Sequence, residues 1–305
     1  MRRFARSNNP AFHGGNHMSL INAVIEGIIQ ALTEFLPISS SGHLAVYNYF
    51  FNKNEGDTFF TILLHIGTLI AVIICYHKTI WELIKEFFKT IGDIFTGKFK
   101  WSQMNPTRRM LIMLIICMLP LALFLPVKDY VDVAAKNIFL LSLCFIFTGV
   151  ILMLGHFVGK RSYNREKMTV WDSLCIGFMQ GLAIFPGISR SGSTISAGLV
   201  LGLKKEHVTQ FSFILSIPTI LGSFLIELYD NRSELANVDF VPVIVGIIVA
   251  AIFGVLAIKL IEFIIKKNKF NIFSIYCLVL GFGLMFCYLY QSATGNSVAA
   301  MLGLA

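Results

Sequence analysis

The chain has 305 residues and a net charge of +8, and it is 56% apolar but only 14% charged, with a mean hydropathy of +0.73. Soluble domains are usually about 45–50% apolar and about 25% charged, so this composition excludes an ordinary soluble enzyme and a disordered chain. A polytopic protein of the lipid bilayer is therefore predicted. The basic residues lie in short stretches between apolar runs, which indicates membrane orientation and no nucleic-acid partner.

The two ends of the chain differ from its apolar body. Residues 1–17 are polar and are interpreted as an N-terminal extension or a cloning remnant, and residues 293–305 as a C-terminal tail. The residues between them, 18–292, are predicted to form a single membrane domain. Six cysteines lie within apolar runs, and we expect them to be core residues without a disulfide or metal role.

Six apolar runs are long enough to cross about 30 Å of hydrocarbon, which takes about 20 helical residues. They cover residues 58–76, 109–127, 137–155, 209–229, 241–264 and 271–290. Two further apolar segments, starting at residues 20 and 172, are interrupted by Pro, Ser and Gly in the runs PISSSGH and FPGISRSGS. Because a break at membrane depth requires surrounding protein or a wet cavity, these segments are predicted to be two re-entrant helical hairpins.

The two interrupted segments are related in sequence. When residues 27–42 are compared with 177–192, eight of the sixteen pairs are identical. The identical residues of the first segment are Gly27, Gln30, Leu32, Phe35, Ile38, Ser39, Ser41 and Gly42. The chain is therefore predicted to contain two repeats, at about 18–155 and 168–292, each made of one hairpin and three spans.

The basic residues predict how the repeats are oriented. They concentrate in the loops 77–109, 156–171 and 265–270, which are therefore expected in the cytoplasm. Since each repeat contains an odd number of spans, the second repeat is predicted to be inverted relative to the first. Inverted repeats with broken helices are best known in transporters.

The first interrupted segment carries a carboxylate in an apolar setting. Glu34 follows Gln30 by four residues, so the two side chains share one helix face. A carboxylate within a membrane segment costs roughly 2.5–3.5 kcal/mol on insertion scales, so it needs a partner, a cavity or a cation. Glu34 is therefore a candidate cation ligand or proton acceptor, whereas His65, outside both motifs, is interpreted as structural.

Hydroxyl groups and one histidine follow this carboxylate. Ser39, Ser40 and Ser41 precede Gly42, and His43 lies within one helical turn of them. A serine next to a titratable base is the arrangement that nucleophilic catalysis uses. Ser40 and His43 are therefore candidate catalytic residues.

The second interrupted segment carries Arg190, whose planar guanidinium suits phosphate. The next half-helix is predicted to begin at Ser191–Gly192, and its counterpart in the first segment at Ser41–Gly42. The N-terminal ends of helices favour anions, so an oxyanion site is predicted where the two breaks meet. Its candidate phosphate-binding residues are Ser39, Ser41, Gly42, Ser189, Arg190, Ser191, Gly192 and Thr194.

These motifs, Gln30-xxx-Glu34 running into PISSSGH and the PGISRSG run, resemble the undecaprenyl-pyrophosphate phosphatase family of bacterial membranes, also known for bacitracin resistance. The resemblance covers about residues 18–290. It implies hydrolysis of undecaprenyl diphosphate to undecaprenyl phosphate and inorganic phosphate, which recycles the lipid carrier for peptidoglycan. It also implies paired hairpins in inverted repeats, a location in the bacterial cytoplasmic membrane and an active site that faces outside the cytoplasm.

The resemblance also implies a divalent cation, Mg²⁺ or Ca²⁺, held by Glu34. The family has Glu or Gln at the first motif position, and the amide in this chain makes Gln30 the weaker of two candidate ligands. Arg190 is expected to clamp the terminal phosphate. Ser40, activated by His43 or Glu34, is the first choice for the nucleophile, while direct attack by His43 and attack by water remain open alternatives.

A transporter or flippase of a prenyl phosphate lipid is the second hypothesis, because alternating access uses broken helices in inverted repeats. A structural membrane subunit is disfavoured by the charges of Glu34 and Arg190 within apolar segments. The sequence leaves a homodimer open.

Overall fold

A computed structural model describes residues 19–51, 58–159, 165–230, 240–267, 269–296 and 298. Within these residues the regular structure is helical, apart from one isolated bridge between Arg165 and Leu203. The predicted extension at 1–17 lies outside the described residues, as do residues 231–239 of one connecting loop and most of the predicted tail.

Eleven α-helices follow one another along the described part of the chain. They are α1 (Leu20–Phe35), α2 (Ser40–Phe50), α3 (Thr58–Phe95), α4 (Pro106–Met118), α5 (Lys128–Lys136), α6 (Ile138–Gly159), α7 (Val170–Leu182), α8 (Arg190–Val200), α9 (Lys205–Asp230), α10 (Phe240–Lys266) and α11 (Asn271–Thr294). Two 3-10 segments, Trp101–Gln103 and Leu119–Val127, flank α4.

Six helical segments are long and apolar enough to cross a membrane. They are Phe60–Phe95, Pro106–Val127, Ile138–Gly159, Lys205–Ile226, Phe240–Lys266 and Asn271–Thr294. The prediction of an all-α polytopic membrane protein with six transmembrane helices is therefore confirmed.

Two of the predicted spans differ from the observed helices. The run at 58–76 was expected to end in a loop, but α3 continues to Phe95 after a kink at Tyr76 (φ −114°, ψ 21°). Lys and Glu are good helix formers, so the charges after residue 76 mark where apolar sequence ends without ending the helix. Within 109–127, α4 stops at Met118 and the chain continues as the 3-10 segment that contains Pro120 and Pro126, which lack the N–H of a regular helix.

Both interrupted segments consist of a helix, a break and a shorter helix. α2 and α8 have bounds that differ by 150 residues, from Ser40 to Arg190 at their starts. Each begins one residue earlier than predicted, because Ser39 and Ser189 act as N-caps and accept hydrogen bonds from the N–H groups three residues on, at 3.3 and 3.0 Å. The local structure therefore repeats with the shift seen in the sequence, while the re-entrant path and the inversion stay predictions.

Glycines allow the membrane helices to approach each other closely. α10 packs against α1 and α3, and α11 packs against α6. A Cβ at Gly67 of α3 would lie 2.5 Å from the carbonyl oxygen of Ile247, and one at Gly281 of α11 would lie 2.9 Å from the backbone nitrogen of Ile146. Small residues of this kind are what helix packing in membranes favours. The six cysteines are free.

An ion pair ties the start of α7 to the end of α8. Arg165 donates two hydrogen bonds to the carboxylate of Asp172, at 2.7 and 2.8 Å, and a third to the carbonyl of Leu201 at 2.9 Å. Burial alone would raise the pKa of Asp172, but the hydrogen bonds from Arg165 and Thr169 outweigh it and hold the pKa below its usual value. The charged carboxylate thus stabilises the fold next to the second break.

Candidate active site

The structure brings the two breaks into direct contact. The backbone N–H of Gly187 donates to the side-chain oxygen of Ser39 at 3.1 Å, and a Cβ at Gly42 would lie 2.7 Å from the Cα of Gly187. Thr148 of α6 holds the second break, because its hydroxyl donates to the carbonyl of Gly187 at 2.8 Å and accepts from the N–H of Ser189 at 3.1 Å. The N-terminal ends of α2 and α8 are therefore fixed beside each other.

Ser39 has an unusual backbone conformation at this contact. Its φ is 73°, the one positive value among the described residues other than glycine. Such a conformation costs an L-residue roughly 1–3 kcal/mol and persists where the surroundings enforce it. Here the enforcing contacts are the hydrogen bonds that Ser39 accepts from Gly42 and Gly187.

Glu34 is the shared partner of several groups from both repeats. One carboxylate oxygen accepts a hydrogen bond from the guanidinium of Arg190. The other oxygen, Oε2, accepts from the hydroxyl of Ser40 at 2.6 Å and from the amide of Gln30 at 3.3 Å. The Nε2 atom of His65, interpreted from the sequence as structural, lies 3.7 Å from the same oxygen.

The guanidinium of Arg190 is held from two sides. Its Nη2 contacts Glu34, and its Nη1 donates to the carbonyl of Ser212 at 3.3 Å. Thr194 supports this arrangement, because its hydroxyl donates to the carbonyl of Arg190 at 2.9 Å and lies 2.6 Å from the hydroxyl of Ser212. Arg190 is partly buried, with 14% of its side chain exposed.

The candidate phosphate-binding residues fall into two groups. Ser41 is exposed, with its hydroxyl 3.5 Å from that of Ser39. Ser189, Ser191 and Thr194 are buried, and the hydroxyls of the two serines lie 3.3 Å apart. The backbone N–H groups of Gly42 and Gly192 lie in the first turns of α2 and α8. They already donate hydrogen bonds to the N-cap serines. The accessible donors are therefore Ser41 and Arg190, while the buried hydroxyls stabilise the helix ends.

Ser40 is not among the hydrogen-bond partners of His43. Its Nδ1 atom lies 2.7 Å from the carbonyl oxygen of Ser39, and its Nε2 atom lies 2.7 Å from the hydroxyl of Tyr276. Of the two bases considered for Ser40, the structure thus pairs Ser40 with Glu34. Sequence reasoning missed Tyr276, since it lies on α11, 233 positions away, and no local pattern marks it.

The side-chain oxygens of Glu34 and Gln30 suit a cation whose other ligands are phosphate oxygens and water. The side-chain oxygen of Gln30 is buried and has no hydrogen-bond partner, and it lies on the same helix face as Glu34. No group of three or more His, Cys, Asp or Glu residues that could hold a metal occurs in the described residues. One carboxylate and one amide oxygen are too few for an all-protein cage, but Mg²⁺ commonly takes one or two carboxylates together with substrate phosphates and water.

The arrangement can support nucleophilic chemistry at an anionic group. A serine hydroxyl donates to a buried carboxylate, and a guanidinium that suits phosphate contacts the same carboxylate. Six helices able to cross a membrane, together with this cluster of Glu34, Ser40 and Arg190, define a polytopic membrane protein with a serine–carboxylate–guanidinium centre. The chain belongs to the family described as bacitracin resistance protein BacA, whose family model matches residues 23–283.

Curated relatives agree with this family over most of the chain. The chain is 38% identical to a protein named undecaprenyl-diphosphatase from Methanobrevibacter smithii, over 87% of this chain and 96% of the relative. It is 37% identical to the protein of that name from Carboxydothermus hydrogenoformans, over 87% and 95%, and 36% identical to that from Bacteroides thetaiotaomicron, over 87% and 97%.

Proposed function

We propose that this protein is a membrane phosphatase that hydrolyses undecaprenyl diphosphate to undecaprenyl phosphate and inorganic phosphate. By this reaction it recycles the lipid carrier for peptidoglycan synthesis and gives bacitracin resistance. The observation that carries the proposal is the contact of Ser40 and Arg190 with one buried carboxylate, that of Glu34. The family and the name of its relatives supply the substrate.

In the first step, Ser40 attacks the terminal phosphorus of the substrate. A bond forms between its Oγ atom and phosphorus, the bridging phosphorus–oxygen bond breaks, and undecaprenyl phosphate leaves. The hydroxyl proton passes to the Oε2 atom of Glu34, which already accepts it at 2.6 Å. Arg190 exchanges Glu34 for the phosphate, so it stabilises the transferring group.

In the second step, water attacks the phosphorus of phosphorylated Ser40 and inorganic phosphate leaves. Ser40 regains its proton from Glu34. His43 follows Ser40 by three residues on α2, so the two lie on one side of the helix and His43 can accept the proton of the water. Direct attack on the substrate by His43 or by water remains the alternative, and trapping of a phosphoenzyme distinguishes the routes.

A divalent cation, Mg²⁺ or Ca²⁺, is part of the proposal. Glu34 and the unpartnered side-chain oxygen of Gln30 would hold it together with phosphate oxygens. When bound, the cation would neutralise charge on the diphosphate. Its two protein ligands belong to α1, where the carboxylate also receives the proton of Ser40.

The proposed setting is the bacterial cytoplasmic membrane, with the active site facing outside the cytoplasm. The six apolar helices support a multi-pass membrane protein, and the concentration of basic residues in 77–109 and 265–270 supports a cytoplasmic location for both stretches. A homodimer is compatible with this setting, and light scattering in detergent would test it.

The activity is tested with purified protein in detergent. Lipid transport between two leaflets cannot occur there, so any phosphate release reports hydrolysis. Undecaprenyl diphosphate is added with Mg²⁺ or Ca²⁺, and inorganic phosphate is measured with and without EDTA. The proposal expects phosphate release that EDTA abolishes. A folded protein that releases no phosphate under these conditions, but moves a prenyl phosphate lipid across a vesicle membrane, would favour the transporter suggested by the two broken helices.

A further inference from the structure

The reaction scheme gives His43 a role as proton acceptor but gives no role to the groups that contact its imidazole. A carbonyl oxygen can only accept a hydrogen bond, so the Nδ1 atom of His43 must carry the proton that bridges to Ser39 at 2.7 Å. In a neutral imidazole the other nitrogen then has a lone pair. The hydroxyl of Tyr276, 2.7 Å from Nε2, is therefore the donor to that lone pair.

The surroundings of the imidazole favour this neutral form. Its nitrogens contact backbone carbonyls, those of Ser39 and Ile38, and the phenol of Tyr276, and all of these groups are uncharged. The ring of Tyr276 is nearly parallel to it, with an interplanar angle of 9° and centroids 5.6 Å apart. Phe145 of α6 meets it edge-on at 5.2 Å. Removal from water disfavours the charged imidazolium.

The position of Tyr276 is itself fixed by the packing of α11 on α6. Ser274, two residues before it, is fully buried and donates to the carbonyl of Gly149 at 2.7 Å. Tyr276 is nevertheless 43% exposed, so its hydroxyl can exchange partners when an oxygen of water or substrate arrives. A rigid helix thus holds an accessible hydroxyl against a base at the end of the first break.

We infer that Tyr276 is a positioning residue of the active site, which fixes His43 as the neutral tautomer with Nε2 as proton acceptor. The inference rests on the proposed phosphatase activity, because it supplies the base for the hydrolysis of phosphorylated Ser40. Tyr276 donates to Nε2 until the attacking water takes that position. The water proton then passes to the same nitrogen, which is already oriented and unprotonated.

The test is Tyr276→Phe, which keeps the ring and removes only the hydroxyl. Loss of one neutral hydrogen bond corresponds to about a 3- to 10-fold fall in kcat, and KM for the lipid should stay unchanged. The acid limb of the pH profile should move to higher pH, since Nε2 without its donor binds a proton more readily. Tyr288→Phe is the matched control, because Tyr288 lies on the same helix and packs on Phe139 at 5.0 Å.

A measurement on the unaltered protein covers the case in which the variant does not fold. Nitrogen-15 NMR of labelled histidine, with the His43 signals assigned by their loss in His43→Gln, should show a protonated Nδ1 and an unprotonated, hydrogen-bonded Nε2. A protonated Nε2, or a Tyr276→Phe variant with an unchanged rate and pH profile, would overturn the inference. Absence of phosphate release by the unaltered protein would instead refute the proposed function, while the NMR result still decides the contact.

Discussion

Replacement of Arg190 by lysine tests whether the planar guanidinium is needed for phosphate transfer. Arg190 contacts Glu34 through Nη2 and the carbonyl of Ser212 through Nη1, whereas a single ammonium group cannot span both partners. Loss of one charge-assisted hydrogen bond costs about 1.5–3 kcal/mol. At 1.4 kcal/mol for each factor of ten, we expect kcat/KM to fall about 10- to 100-fold.

The assay is phosphate release from undecaprenyl diphosphate, with thermal unfolding followed by tryptophan fluorescence as a check of the fold. Arg109→Lys is the matched control, because Arg109 is half-buried and donates one hydrogen bond, to the carbonyl of Met168, away from the site. A variant with near-normal turnover at position 190, or an equal loss in the control, would show that Arg190 has only a structural role.

Three further results are expected. Glu34→Gln should lower activity at least 10- to 100-fold and raise the divalent-ion concentration needed for half activity, as for groups around metal sites, whereas Glu262→Gln on α10 should leave both nearly unchanged. Asp172→Asn should lower the free energy of unfolding by about 1–3 kcal/mol near neutral pH. Folding lowers the pKa of Asp172, so its carboxylate contributes fully to the free energy of unfolding above its usual pKa of about 4. This contribution is lost as the pH falls through the lowered pKa of the folded protein. In a cysteine-free background, Ala293→Cys should react with an impermeant thiol reagent from outside intact cells, and Glu82→Cys should not.

Each of these expectations has a contradicting outcome. An unchanged dependence on divalent ions in Glu34→Gln would assign the carboxylate to proton transfer alone. A stability that does not depend on the carboxylate at position 172 would show that the ion pair with Arg165 is neutral for folding, as many ion pairs are. Labelling of the two cysteines in the opposite pattern would reverse the proposed orientation.

The membrane helices and the two breaks were predictable from the sequence because local sequence features cause them. A run of about 20 apolar residues defines a span, and Pro, Ser and Gly within PISSSGH and PGISRSG end one helix and cap the next. The end of α3 was not predictable, since Glu82 and Lys85 mark the limit of the apolar sequence but are compatible with a helix.

The partners within the site were only partly predictable. Glu34 and Arg190 were recognisable because a charge in an apolar segment requires compensation, and the structure pairs them. His65 and Tyr276 were not recognisable, since they reach Glu34 and His43 from other helices and nothing in their own neighbourhood distinguishes them from packing residues. Contacts between distant helices depend on packing that hydropathy does not encode.

Trapping of the phosphoenzyme shows whether Ser40 is the nucleophile and Glu34 its base. Enzyme that is turning over undecaprenyl diphosphate is quenched in acid, which preserves phosphoserine, and in parallel in base, which preserves phosphohistidine, and both samples are mapped by mass spectrometry. We predict phosphate on Ser40 after the acid quench, its loss with nearly all turnover in Ser40→Ala, and its retention in Ser196→Ala. Phosphate on His43 after the base quench, or normal turnover by Ser40→Ala, would contradict the role of Ser40 as nucleophile.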